Sequence, residues 1–222
     1  MTSTTGGPNL KAAIIPVTPL QQNCSLLFDE TTKEGIIVDP GGDVDRIRNV
    51  LDRTGVTVST ILLTHGHIDH AGGAMELKEA LGGEAPILGP GEEDRFLLEG
   101  LALQGRQYGI AGARDCEPDR FLKEGGELVL LGESFEILHC PGHSPGHLVY
   151  ANRRMNFAFM GDVLFQGSIG RTDFPYGDHQ ALLDAIRDKI LPLGDAMAFI
   201  CGHGPGSTIG SERAGNPFLQ DM

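Results

Sequence analysis

The sequence is poor in positive charge. Seventeen Lys and Arg stand against 30 Asp and Glu, a formal net charge of −13. A nucleic-acid-binding surface carries a basic footprint. None is visible here, so neither nucleic acid nor an anionic membrane surface is an expected partner. Long apolar runs are also missing. The longest are strand-sized, far below the ~20 residues of a spanning helix. The N-terminal MTSTTGGPNL has neither the charged region nor the apolar stretch of a secretory signal. A cytoplasmic location is therefore expected, with residues 1–9 as a disordered lead-in and residues 10–222 as a single domain. Cysteine is scarce: Cys24, Cys116, Cys140 and Cys201, none in a CxxC pair. Such scattered cysteines read as reduced, small buried hydrophobes.

Glycine, by contrast, is abundant. The chain has 32 glycines in 222 residues, roughly twice the usual share of about 7%. They follow no G-X-Y period, which excludes a collagen-like chain. A hydrophobic share of 40% is enough for a core.

Residues 12–17, 24–28 and 35–38 read as short strands separated by turn-like segments. Residues 43–54 place Val44, Ile47, Val50 and Leu51 at helical spacing. Strand 59–63 follows, then a helix from Ala71 to Ala80. Residues 91–108 read as a helix interrupted at Gly100 and Gly105. Two hairpins are expected, 127–131 with 134–139 and 147–151 with 156–160. The chain closes with a helix at 178–191, a strand at 197–200 and a short helix at 207–215. Irregular alternation with hairpins in each half points to two sheets flanked by helices, not to a doubly wound parallel sheet.

The chemistry concentrates after the 59–63 strand, in Thr64-His65-Gly66-His67-Ile68-Asp69-His70. Four metal-capable side chains fall within six positions. In extended backbone, residues two apart point the same way, so His65 and His67 can chelate one ion. Asp69 and His70 come where the chain turns into a helix and can face a second. Three further loops repeat one arrangement, an apolar strand, then glycine, then a ligand-type residue: Gly142-His143, Gly161-Asp162 and Gly202-His203. Glycine beside each ligand permits sharp turns and close backbone approach. Seven nitrogen and carboxylate donors without thiolate suit zinc, iron or manganese.

This pattern resembles the metallo-β-lactamase superfamily, marked by THxHxDH followed by separated His, Asp and His. Val38-Asp39-Pro40-Gly41 resembles that family's early turn. The resemblance implies an α/β fold, a four-layer αβ/βα sandwich of two mixed sheets flanked by helices. Within the superfamily the chain is most similar to a short single-domain branch of type II glyoxalases. Gly161-Asp162-Val163-Leu164-Phe165, Gly170-Arg171-Thr172-Asp173-Phe174, Gly202-His203-Gly204-Pro205 and Asn216-Pro217-Phe218 carry that similarity. It implies two divalent metal ions, one held by His65, His67 and His143, the other by Asp69, His70 and His203, with Asp162 bridging. It also implies hydrolysis of a glutathione thioester such as S-D-lactoylglutathione by a hydroxide shared between the ions, which Asp69 helps to orient.

The chain departs from longer type II glyoxalases in having only about 19 residues after His203, too few for their C-terminal glutathione-binding helices. That family's Lys and Tyr after the bridging Asp are not evident either. Arg171 could pair with a substrate carboxylate or form an ion pair with Asp173 or Asp178, and Tyr176 could offer a hydroxyl. A rival resemblance is to persulfide dioxygenases, which hold a single iron by two His and one carboxylate, here His65, His143 and Asp162. His147 is expected to orient the site rather than bind metal, His139 to be structural, and His179 to cap or start a helix. Cys140 and Cys201 match no family ligand, and Asp39 reads as a structural carboxylate near the site.

Overall fold

The computed structural model describes residues 9–220. Of the expected lead-in at residues 1–9, all but Asn9 lie outside them. Asn9 donates from Nδ2 to Glu30 Oε2 at 3.1 Å. The first half runs β1 (Leu10–Val17), β2 (Gln22–Asp29), β3 (Glu34–Val38), α1 (Val44–Thr54), β4 (Thr57–Leu62), α2 (Ile68–Ala71), α3 (Ala74–Ala80), β5 (Ile87–Leu88), α4 (Arg95–Leu98) and α5 (Leu101–Tyr108). The second half runs β6 (Leu128–Leu130), β7 (Glu133–His139), β8 (Leu148–Asn152), β9 (Phe157–Gly161), β10 (Leu164–Phe165), β11 (Ser168–Ile169), α6 (His179–Ala185), β12 (Ala198–Cys201), β13 (Ser207–Thr208) and α7 (Ile209–Gly215).

Strands β1 to β5 form one sheet in sequence order. The other large sheet has the order β13-β12-β9-β8-β7-β6. Both are mixed: β3 and β4 are parallel, as are β9 and β12, while β1, β2 and β3 are antiparallel neighbours.

The two faces of each strand serve different cores. In β2 to β4, Leu26, Phe28, Ile37 and Ile61 pack outward with Val44, Ile47 and Leu51 of α1 and Leu77 of α3. Leu27, Ile36, Val38 and Leu62 turn inward to meet Phe135, Ile137, Leu148, Tyr150 and Phe159 of the other sheet. The outer face of that second sheet, with Val149, Ala151, Ala158 and Met160, is covered by Leu182 and Ala185 of α6 and Ile209 of α7. Side chains alternate across a strand, so a strand buried on both faces must be apolar almost throughout. That explains GIIV and STILL. The result is helix, sheet, sheet, helix, the four-layer sandwich.

Four local expectations are corrected. The helix expected from Ala71 begins at Ile68 and breaks at Gly72-Gly73. A Cβ on Gly73 would sit 2.7 Å from the Pro40 carbonyl. Asp69 and His70 therefore lie in the first turn of α2. The 91–108 segment becomes a 3-10 turn at Glu92–Asp94 followed by α4 and α5. The chain breaks at Gly100 but not at Gly105, which lies inside α5 with Ala113 packed where a Cβ would be, at 2.5 Å. The 178–191 helix ends as α6 at Ala185 and continues as a π-helical turn over Ile186–Ile190. Two-residue strands β5, β10, β11 and β13 carry no periodicity signal and were not expected. His179 is the first residue of α6, and Asp178 caps it by accepting from Ala181 N at 2.9 Å.

The C-terminal segment is pinned to the loop after β9. Buried Asn216 donates from Nδ2 to the Phe165 carbonyl, the Ser168 carbonyl and Glu212 Oε2, and Glu212 Oε2 also accepts from Gly167 N at 2.7 Å. No helix among the described residues is long and apolar enough to cross a membrane.

Phe159 belongs to the core between the two sheets, 2% exposed and 6.3 Å from the Phe135 ring. Phe159→Ala is expected to lower stability by about 3–5 kcal/mol. Denaturant unfolding with an unchanged slope is the check.

Candidate metal centre

Strands β7, β9 and β12 point the same way, because β8 is antiparallel to both β7 and β9 while β12 is parallel to β9. Their C-terminal ends thus share one rim. His143 follows β7, Asp162 follows β9 and His203 follows β12. In the other sheet, the parallel strands β3 and β4 end at Asp39 and at the Thr64–His70 loop. Asn23 joins the two sheets here. Its N–H donates to the Gly202 carbonyl at 2.7 Å, and its Nδ2 donates to the carbonyls of Cys201 and Gly204.

All seven ligand-type side chains come together. Donor atoms of His65, His67 and His143 lie within 4.8 Å of one another, as do those of Asp69, His70 and His203. His65 Nε2 and His67 Nδ1 are 3.1 Å apart. Asp162 stands between the groups. Its Oδ1 is 3.4 Å from His70 Nε2, and its Oδ2 is 3.4 Å from His143 Nε2 and 3.7 Å from His203 Nε2. Asp69 Oδ2 is 3.2 Å from His203 Nε2. Gly202 is required at this point, since a Cβ would fall 1.9 Å from Asp162 Oδ1.

The hydrogen bonds around these rings assign their tautomers. Asp39 Oδ1 accepts from Thr64 N at 2.7 Å, and its Oδ2 accepts from Thr64 Oγ1 at 2.6 Å and from His70 Nδ1 at 2.9 Å. With its hydroxyl hydrogen on Asp39, Thr64 Oγ1 accepts from His65 Nδ1 at 3.0 Å. His143 Nδ1 donates to the Arg171 carbonyl at 2.9 Å. Each N–H is thus turned outward, leaving Nε2 of His65, His70 and His143 facing inward. His147 Nε2 accepts from Asp162 N at 2.9 Å, and its ring stacks 4.6 Å from that of His65. Asp39 also falls within 4.8 Å of His65 and His70, but both its oxygens are already engaged.

Charge follows the same arrangement. Burial, reinforced by the neighbouring imidazoles, pulls His65 and His147 well below the usual histidine range and His67 down to about 3. Burial also opposes ionisation of His70, but the carboxylates of Asp162 and Asp69 outweigh it and hold that ring well above its usual value; a cation held between these carboxylates would take the place of that proton. Asp162 is likewise desolvated, yet His70, His143 and His203 keep its pKa far below normal. The thiols of Cys140 and Cys201 are pushed up by burial to about 12 and about 11, so both stay protonated.

His70 Nε2, His143 Nε2 and Asp162 Oδ1 are buried without a hydrogen-bond partner among the described residues. A buried polar atom left unpaired costs about 1–3 kcal/mol. Three such atoms converging with the imidazoles of His65 and His67, which burial keeps neutral, form a donor set that fits a divalent cation.

Arg171 and Tyr176 flank the cluster. Arg171 makes the ion pair with Asp173, bidentate at 2.7 and 2.8 Å, while its guanidinium lies 4.6 Å over the Phe174 ring. Tyr176 places its hydroxyl 2.8 Å from His67 Nε2, and burial raises the phenol to about 12. His139 Nε2 donates to the Pro145 carbonyl at 2.7 Å.

Sequence reasoning missed Asp94. Fully buried, it accepts from Gly66 N at 2.8 Å, from Ser144 Oγ at 2.7 Å and from Gly146 N at 2.6 Å. One carboxylate thus fastens the His65–His67 loop to the His143 loop. Asp94→Ala strands two buried N–H groups, so a loss of about 2–5 kcal/mol is expected, with metal content per chain falling in parallel. Thermal melting and elemental analysis check both, and Asp94→Asn should lie between.

Comparison with known proteins identifies the family. The metallo-beta-lactamase superfamily model matches residues 17–203. Hydroxyacylglutathione hydrolase GloC of Haemophilus influenzae is 48% identical over 207 residues, spanning 93% of this chain and 96% of that one. Among solved structures, BLEG-1 B3 metallo-beta-lactamase superposes with a TM-score of 0.86 at 38% identity, covering 95% of this chain and all of the other. TTHA1623, solved in a di-iron-bound form, gives 0.82 at 38% identity, covering 93% of this chain and all of the other. By sequence, by fold and by its rim of histidines and aspartates, the chain belongs to the metallo-beta-lactamase superfamily.

Proposed function

We propose that this metal-dependent hydrolase binds two divalent ions and cleaves a glutathione thioester such as S-D-lactoylglutathione, giving glutathione and a 2-hydroxy acid. The observation that carries this reading is Asp162, whose carboxylate lies between the two clusters, facing His143 of one and His70 and His203 of the other. The 48% identity to a hydroxyacylglutathione hydrolase supports the substrate.

His65, His67 and His143 would hold one ion, Asp69, His70 and His203 the other, and Asp162 would bridge. Zinc, iron and manganese all suit these donors. Bound cations lower the pKa of water toward ~7 and polarise a carbonyl oxygen. The chain supplies the rest. Asp69 has an oxygen at the second cluster and can accept a hydrogen bond from the attacking water, orienting it. The inward Nε2 atoms of the buried histidines are fixed by Thr64, Asp39 and the Arg171 carbonyl, so little reorganisation accompanies reaction. A thiol with a pKa near ~8.5 leaves as thiolate with little acid assistance, so no further acid is needed. Arg171 flanks the cluster, its carbonyl accepting from His143, and would meet a substrate there. A substrate carboxylate would share the Arg171 guanidinium with Asp173 or displace it.

The test is direct. Wild-type protein is expected to carry two metal equivalents and to hydrolyse S-D-lactoylglutathione. Asp162→Ala should lower kcat/KM by ~100-fold or more and reduce metal content. One iron per chain, with oxygen consumed on glutathione persulfide and no thioester turnover, would overturn the reading in favour of a dioxygenase.

A further inference from the structure

We propose that Tyr176 is a positioning residue for the metal centre: its hydroxyl accepts the outward N–H of His67 and holds that imidazole with Nδ1 facing His65 and His143. This rests on the metal-binding reading above and extends it to a residue that sequence reasoning gave only to substrate.

The inference starts from an asymmetry among the buried rings. His65, His70 and His143 present Nε2 to the cluster, and each has an outward acceptor for its Nδ1–H: Thr64 Oγ1, Asp39 Oδ2 and the Arg171 carbonyl. His67 is turned the other way. Its Nδ1 faces the cluster, 3.1 Å from His65 Nε2, and its Nε2 points out. A ligating nitrogen must offer a lone pair, so the opposite nitrogen of a neutral imidazole carries the hydrogen and needs an acceptor. The Tyr176 hydroxyl oxygen, 2.8 Å away, is the acceptor that the structure provides. The phenol keeps its own O–H for donation elsewhere.

Packing fixes the ring that makes this contact. Tyr176 stacks on Phe174 with centroids 5.3 Å apart and planes 13° apart, and Phe96 meets it edge-on at 5.3 Å. Phe174 itself lies 4.9 Å from the His67 ring and 5.8 Å from the His143 ring. A tight turn sets the approach: Gly177 N donates to the Phe174 carbonyl at 2.9 Å, and a Cβ on Gly177 would sit 2.3 Å from the Thr172 carbonyl. One short loop, from Arg171 to Gly177, therefore grips two histidines of the same cluster by their outward nitrogens.

Tyr176→Phe removes the hydroxyl and keeps the stacked ring, so the metal-free variant should melt with the wild type. Zinc-loaded wild type and variant are titrated with a chromophoric chelator, and kcat and KM are measured on S-D-lactoylglutathione. The expected result is one zinc equivalent held about 10–100-fold more weakly, a lower kcat and an unchanged KM. Unchanged zinc affinity overturns the proposal, whether KM rises, as for a residue that only touches substrate, or nothing changes. The chelator measurement needs no thioester. A wild type that binds zinc but leaves the thioester intact would therefore refute the substrate assignment alone, and a wild type that binds no zinc would refute both.

Discussion

Asp162 is a carboxylate buried between imidazoles, and the surrounding architecture follows from keeping it charged there. An isolated buried charge is expensive unless paired and hydrogen-bonded. Three histidines face its oxygens, and its backbone N–H is tied to His147. Those partners come from strands of two different sheets, so the sheets must end on a common rim. The glycines beside them answer the same crowding: Gly161 takes a φ of 52°, and Gly202 leaves room where any side chain would strike Asp162.

Much of this was legible because it is local. Thr64 to His70 announces itself by density, and the recurring strand-glycine-ligand order marks the other three loops. Two sheets flanked by helices were legible too, from the irregular alternation of strands and helices with hairpins in each half, and the family resemblance implied the four-layer sandwich. Asp94 was not. It sits in a 3-10 turn, and its partners at Gly66, Ser144 and Gly146 come from two distant loops. No sequence period links those positions. The same holds for Asn23, whose amide reaches the far end of the chain. Arg171 had two acidic neighbours in sequence, and only the fold shows Asp173 as its partner and Asp178 as a helix cap. At Gly105 a pattern rule failed: the glycine lies inside α5, with Ala113 in the space a side chain would fill.

The outward nitrogens draw on different parts of the molecule. Thr64 and Asp39 belong to the rim of the first sheet, whereas Arg171 and Tyr176 sit on the loop between β11 and α6. The centre therefore has a rigid side and a loop-borne side. Aromatic stacking stiffens the latter, in place of the strand hydrogen bonds that hold the former.

Asn216 and Glu212, which fasten the C-terminal segment to the loop after Asp162, bear on the order in which the protein is made. His65 and His67 precede β12 and His203 along the chain, so they emerge from synthesis before the second sheet can supply its share of the cluster. Until β12 and α7 pack, the early histidines lack the carboxylate and imidazole neighbours that the second sheet contributes. The donor set is thus completed by tertiary closure and cannot be supplied by the Thr64–His70 segment alone.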